Sequence, residues 1–168
     1  MLRSSRPAVE RMRPPKAPYL VINRMVRALL SSPRRSARVG RHLLLLHLVG
    51  RRSGRLLEFP VAYRELEDGR LLVLTSSPWR ANLRDRGEAE VTLLGHRRRA
   101  GAELVEDPDA VAEVYRRLIE QVGHRRAGRR MGIRINVDRV PTQEELAHAA
   151  RRDGLSLVYL DPGPDARS

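Results

Sequence analysis

With 168 residues and no cysteine, the chain is long enough to close one hydrophobic core, and disulfide frameworks, thiol catalysis and cysteine metal sites are excluded. The formal net charge of +13 comes entirely from the first third, where residues 1–57 hold 14 of the 33 basic residues and the single acid Glu10; residues 58–168 hold 19 of each sign. An excess placed this way implies an acidic partner: a phosphate-bearing cofactor, an anionic membrane surface or nucleic acid.

Residues 1–18 set Pro7, Pro14, Pro15 and Pro18 among arginines, so a loosely ordered basic tail is expected there. A single domain over 19–161 and a short flexible tail over 162–168 follow. No apolar signal core comes after Met1, and the longest apolar run, Leu43 to Val49, is far too short to span a bilayer. This pattern predicts a cytoplasmic protein. From Tyr19 to Leu30 the positions Ile22, Met25, Val26 and Leu29 keep helical spacing, with Asn23, Arg24 and Arg27 on the other side. The short amphipathic helix either packs on the domain or lies on the inner face of an anionic membrane. Ser31-Ser32-Pro33 ends it.

The middle of the chain reads as an antiparallel meander, because short apolar runs alternate with turn residues. Six strands are expected, over 42–49, 56–63, 71–75, 89–94, 97–105 and 155–160. The first is a continuous apolar run of the doubly buried kind, and the second alternates, with Leu57, Phe59, Val61 and Tyr63 on one side and Glu58, Pro60 and Ala62 on the other. Pro60 cannot donate to a ladder, which places it at an edge, at a bulge or facing a ligand. Asp68-Gly69 and Gly95-His96 supply turns. Ser77-Pro78 predicts a short helix start whose N-terminus would attract an anion and which would carry the only tryptophan, Trp79. Helices are expected over 107–122 and 141–152, each ended by a glycine, with a basic and weakly patterned stretch over 124–139 between them. The fold class is therefore α+β.

The connection between the first two strands, Gly50-Arg51-Arg52-Ser53-Gly54-Arg55, packs two glycines, a hydroxyl and three guanidinium groups into six residues. Glycines let backbone N–H groups converge on an anion, and arginine forks grip phosphate or carboxylate. Taken alone, the loop reads more readily as a solvated hairpin turn. It has the spacing of neither a P-loop nor a nucleophile elbow. His42, His47, His96, His124 and His148 lack metal-ligand spacing, and Glu65, Glu67 and Asp68 form a solvated run at a hairpin tip. A basic binding module for nucleic acid or membrane is an alternative that rests on the charged first third and the helix from Tyr19 to Leu30, although a nucleic-acid platform would need more aromatics than the single Phe59 and Trp79.

The order of strand, Gly-Arg-Arg-Ser-Gly loop, strand with Pro60-Val61, hairpin, strand and Trp79-x-x-Asn82-Leu83 resembles the deazaflavin-dependent nitroreductase and quinone reductase family. The resemblance implies a six-stranded split β-barrel of the FMN-binding type, with an N-terminal helix and two helices in the C-terminal half. It also implies reduced coenzyme F-420 as hydride donor to a quinone, nitro compound or activated double bond, with FMN as the alternative cofactor. By the resemblance, Gly50, Arg51, Arg52, Ser53, Gly54 and Arg55 would hold the cofactor phosphate. Ser76, Ser77, Trp79 and Asn82 would line the ring, and Pro60 and Val61 would belong to the same cofactor-binding set. A homodimer and a small-molecule hydride acceptor are the expected partners, and no catalytic side chain is assigned. The chain departs from the family pattern at Leu57 and Glu58, where another basic residue is usual, and at Arg80, where an aromatic often follows the tryptophan.

Overall fold

The computed structural model describes residues 6–13, 24, 26–30, 32–35 and 42–163. Strands are β1 (Val9–Arg11), β2 (Leu43–Val49), β3 (Leu56–Ala62), β4 (Arg64–Glu65), β5 (Leu71–Thr75), β6 (Glu88–Leu93), β7 (His96–Val105), β8 (Ile133–Ile135) and β9 (Ser156–Asp161). Helices are α1 (Pro108–Val122), α2 (His124–Met131) and α3 (Gln143–Asp153), and a 3-10 turn covers Pro78–Leu83. The described residues divide into two compact units. One takes in the described part of Met1–Arg13 with Leu74–Ser77 and Val105–Leu157, the other the described parts of Pro14–Val73 and Val158–Ser168 with Pro78–Leu104.

The second unit carries most of a seven-stranded antiparallel sheet in the order β3-β2-β6-β7-β9-β5-β4. Its two edge strands are consecutive in sequence, separated only by Tyr63. The sheet must therefore curl until its edges meet at that residue, giving an open half-barrel. All six strands expected from the sequence are present, and β4 is a seventh. The order is not the meander expected, because β9 inserts between β7 and β5 and β2 pairs with β6 as well as β3. Hydrophobic alternation reports which face a residue takes, but not which strand lies beside it.

Strand β2 is buried on both faces, as its unbroken run of leucines suggests. Leu44, Leu46 and Leu48 enter the core with Val61, Leu71, Val73, Leu83, Val91, Val158 and Leu160. Leu45 and His47 point the opposite way and are buried too. The register pairs Leu44, Leu46 and Leu48 with Val61, Phe59 and Leu57, which fixes those β3 side chains on the core side and Glu58 and Pro60 on the other. Pro60 is tolerated because β3 is an edge strand. The turn between β6 and β7 is Leu94-Gly95, both at positive φ (49° and 81°), one residue earlier than the Gly95-His96 turn expected.

Residues 24 and 26–30 are helical. The Arg27 guanidinium donates to Glu58 O at 3.0 Å and lies 3.5 Å from Glu58 Oε2, and Leu30 is fully buried. These residues pack on β3; the rest of the expected helix over 19–30 lies outside the described residues. No helix among the described residues is long and apolar enough to cross a membrane.

In the first unit, α1 and α3 pack together through Val111, Ala112, Tyr115, Leu118 and Ile119 on one and Leu146, Ala147, Ala149 and Ala150 on the other. Asp107 caps α1 by accepting from Ala110 N–H. Thr142 and Glu145 form a capping box on α3, and the Arg139 guanidinium grips the same carboxylate with two bonds of 2.8 Å. The Arg139 bonds, then the Thr142 N–H, pull the Glu145 carboxyl down to about 2. The stretch 124–139 is better ordered than its sequence suggests: α2 buries only Ala127 and Met131, a stripe too thin to show among four arginines, and β8 follows. Within the expected basic tail, Val9–Arg11 form a strand on β8. Its apolar signal is one residue, Val9, which is buried; Arg152 donates to Val9 O at 2.7 Å and Asp153 accepts from Arg11 N–H at 3.0 Å, satisfying backbone groups of the strand.

Candidate functional site

The basic loop is a tight hairpin between β2 and β3. Gly50 N–H donates to Arg55 O and Gly54 N–H to Gly50 O, each at 2.9 Å, and Gly54 sits at φ 65°. Gly50 is buried, and a Cβ there would come within 2.7 Å of Ser53 Oγ, which would have to rotate away. Ser53 Oγ also accepts from Arg55 N–H at 3.3 Å.

The loop does not stand alone. Arg51 N–H donates to Asn82 Oδ1 at 2.9 Å, and the Arg51 guanidinium donates to Ala81 O at 3.1 Å. Asn82 turns its other end inward and donates from Nδ2 to Trp79 O at 2.9 Å. Both sequence motifs therefore meet through the Asn82 amide and the Arg51 guanidinium. The bonds also correct the expectation of a converging backbone nest. Gly50, Arg51, Gly54 and Arg55 all spend their N–H groups inside the fold, and among the described residues those of Arg52 and Ser53 remain. The cationic capacity of the loop lies instead in the exposed side chains of Arg52 and Arg55, which have no partner among the described residues.

Beside the loop stands an aromatic wall. Trp79 stacks on Phe59 with ring centroids 5.9 Å apart and planes inclined by 21°. Both are half-buried and pack against the core, leaving part of each ring uncovered. Phe59 was not among the residues singled out from sequence, although its place in the Leu57, Phe59, Val61 alternation gave the signal. Of the remaining candidates, Val61 is a core residue, 7% exposed, and Pro60 points to the opposite face. Ser76 and Ser77 fall in the helical unit, and Ser77 N–H donates to Thr75 Oγ1 at 3.0 Å. The expected helix at Ser77-Pro78 is a six-residue 3-10 turn, because the segment closes after Leu83 reaches the core.

Glu58, which interrupts the positive charge after the loop, is turned away and occupied. It receives Arg27 and lies opposite His47 in the β2–β3 ladder, with His47 Nδ1 3.1 Å from Glu58 Oε1. His47 Nε2 is 2.8 Å from Thr92 Oγ1. Burial first, and then the Arg97 charge, hold the imidazole below its usual range, against the opposing pull of Glu58. This histidine is structural. Among the described residues no cluster of His, Cys, Asp and Glu could hold a metal ion.

The helical unit contains a groove of about 1070 Å³ lined by β1 and the polar face of α3, including Glu10, Arg13, Arg134, His148 and Arg151. None of the sequence-selected site residues lines it.

Comparison with protein families gives a match to F420H(2)-dependent quinone reductase over residues 24–139, a span that contains the loop, the aromatic wall and the brace between them. The chain belongs to this family. It is a divergent member of what is an oxidoreductase family. Solved structures similar to it include a pyridoxamine 5'-phosphate oxidase-related, FMN-binding protein from Nostoc punctiforme, 17% identical, with a TM-score of 0.43 and coverage of 82% of this chain and 78% of that one. A conserved hypothetical protein from Mycobacterium tuberculosis is 16% identical, with a TM-score of 0.40 and coverage of 78% and 79%. A structure titled as an F420 reductase is 12% identical, with a TM-score of 0.39 and coverage of 82% and 92%. No curated protein matches the chain.

Proposed function

We propose that the protein is a deazaflavin-dependent reductase, which transfers hydride from reduced coenzyme F-420 to a quinone, a nitro compound or an activated double bond. The observation that carries this reading is the Arg51–Asn82 bond, because it sets a cationic loop beside an aromatic wall. Such a cofactor is a flat ring bearing a phosphate and an acidic tail, and needs those two surfaces next to one another. Arg52 and Arg55 would hold the phosphate, with the Ser53 hydroxyl within the same loop. Phe59 and Trp79 would stand beside the ring.

The cofactor supplies the hydride when bound, and the chain supplies position and exclusion of water. This division of roles explains why an ionised catalytic triad is not required. Side chains that fix the loop and the wall determine how closely donor and acceptor approach.

FMN is the second reading, and one observation favours it. Beyond Arg55 the chain offers Leu57, with Glu58 turned to the other face of β3, so no further cation follows on that strand where a long acidic tail would need one. A monophosphate would be satisfied by the loop alone. Titration of the purified protein with oxidised and reduced deazaflavin and with FMN tests both readings. Micromolar binding of deazaflavin, lost in the Arg52→Ala/Arg55→Ala variant, supports the first; binding of FMN alone supports the second. A homodimer and a small-molecule acceptor remain part of the proposal.

A further inference from the structure

The loop contains three arginines, and the bonds within the site divide them by role. Arg51 gives its backbone N–H to Asn82 and its guanidinium to Ala81 O, so it is spent in holding the loop against the 3-10 turn. Arg52 and Arg55 remain for an anion. Asn82 is, among the described residues, the one bonded to both halves: its Oδ1 accepts from the loop and its Nδ2 donates to the carbonyl of Trp79, the residue that stacks on Phe59. Both ends of the amide are therefore committed inside the protein, although sequence alone suggested that Asn82 touches the cofactor.

We propose that Asn82 is a positioning residue that couples the anion loop to the aromatic wall, so that occupation of Arg52 and Arg55 is felt at Trp79. The inference rests on the reading of the loop as an anion site, but not on which cofactor fills it. A rigid brace costs nothing at the moment of binding, whereas an unbraced hairpin must be ordered by its ligand. The coupling has direction in each variant. Asn82→Ala removes both bonds. Asn82→Asp keeps the acceptor for Arg51 N–H but places a second oxygen against Trp79 O, so it preserves the loop and releases the wall.

Trp79 is the only tryptophan, so its fluorescence reads the wall directly. The experiment titrates the intact chain and both Asn82 variants with inorganic pyrophosphate, following Trp79 emission. Amide exchange at Arg51 and thermal unfolding are recorded alongside. In the unsubstituted protein, pyrophosphate should shift Trp79 emission saturably, and Arg51 N–H should be protected. Asn82→Ala should bind about tenfold more weakly, lose the Trp79 response and lose Arg51 protection. Asn82→Asp should retain Arg51 protection and lose the Trp79 response, a split that general destabilisation would not produce. The proposal is overturned if Asn82→Ala keeps both affinity and response, or if pyrophosphate leaves Trp79 unchanged in the unsubstituted protein. A protein that shows the Asn82-dependent response yet binds neither deazaflavin nor FMN keeps this inference and loses the proposed function. One that binds deazaflavin equally well with Asn82→Ala does the reverse.

Discussion

The backbone N–H of Arg51 donates to Asn82 Oδ1 at 2.9 Å across 31 residues of sequence, joining the basic hairpin to the segment that carries Trp79. Without this bond the hairpin would be one more solvated turn on an arginine-rich surface. With it, two cations that have no partner among the described residues are held beside a stacked aromatic pair.

Removing those cations should weaken a phosphate-bearing ligand more than it weakens the fold. Both side chains are exposed, and each charge-assisted bond is worth about 1.5–3 kcal/mol against a fixed anion. Arg52→Ala with Arg55→Ala should therefore raise the dissociation constant of the cofactor at least about tenfold. The difference between variant and parent should shrink as salt is added. Isothermal titration at low and high ionic strength, with thermal unfolding as a control, checks both parts.

Gly50 should resist substitution for a reason located at Ser53. A Cβ at residue 50 would stand 2.7 Å from Ser53 Oγ, so Gly50→Ala should turn that hydroxyl away from Arg55 N–H and cost about 0.5–1.5 kcal/mol of stability. Pairing it with Ser53→Ala removes the obstructing oxygen. Chemical denaturation of the double-mutant cycle should show coupling of more than about 0.5 kcal/mol; strict additivity would place the strain elsewhere.

Phe59→Leu separates the wall from the core. Leucine keeps an apolar side chain at the sheet edge, so unfolding should shift by only about 1–2 kcal/mol, including the loss of the aromatic pair. Trp79 emission should change, since its stacked neighbour is gone. Ligand titration should show weaker binding of a flat ring but little change for pyrophosphate, which engages the loop alone.

His47 should make the protein sensitive to mild acid. Its folded pKa is lowered, so above the ordinary imidazole value near 6.5 the histidine is neutral in both states and its contribution is intact. As pH falls below that value the unfolded chain takes up a proton that the folded site resists, and stability declines until the folded pKa is passed. Denaturant midpoints measured between about pH 7.5 and pH 5 should fall, and His47→Gln should flatten the slope. An unchanged slope would assign the acid sensitivity to other groups.

Much of this was written in local patterns. The six expected strands appear within a residue or so of their places, because alternation and turn residues state face and boundary directly. Pro60 indicated an edge, a bulge or a ligand-facing place, of which the structure shows the edge, and the glycine-flanked arginines indicated a loop with a special backbone. What the sequence could not show depends on pairing at a distance. β9 between β5 and β7, the strand at Val9–Arg11 and the curl through Tyr63 all depend on partners far along the chain. The site shows the same division. Residue types at Arg51, Trp79 and Asn82 were informative, but the backbone bond that makes Asn82 a brace leaves no trace in composition or spacing. Glu58 looked like a defect in the charge of the loop, and only the structure shows it facing Arg27 and His47 on the opposite side of β3.

The most direct test of the account is a titration of the intact chain with reduced coenzyme F-420, followed through Trp79 fluorescence and then by addition of a quinone. The account predicts saturable micromolar binding that disappears in Arg52→Ala/Arg55→Ala, and oxidation of the cofactor matched by reduction of the quinone. Failure of the deazaflavin to bind in either oxidation state, or binding that is indifferent to the two arginines, would contradict it.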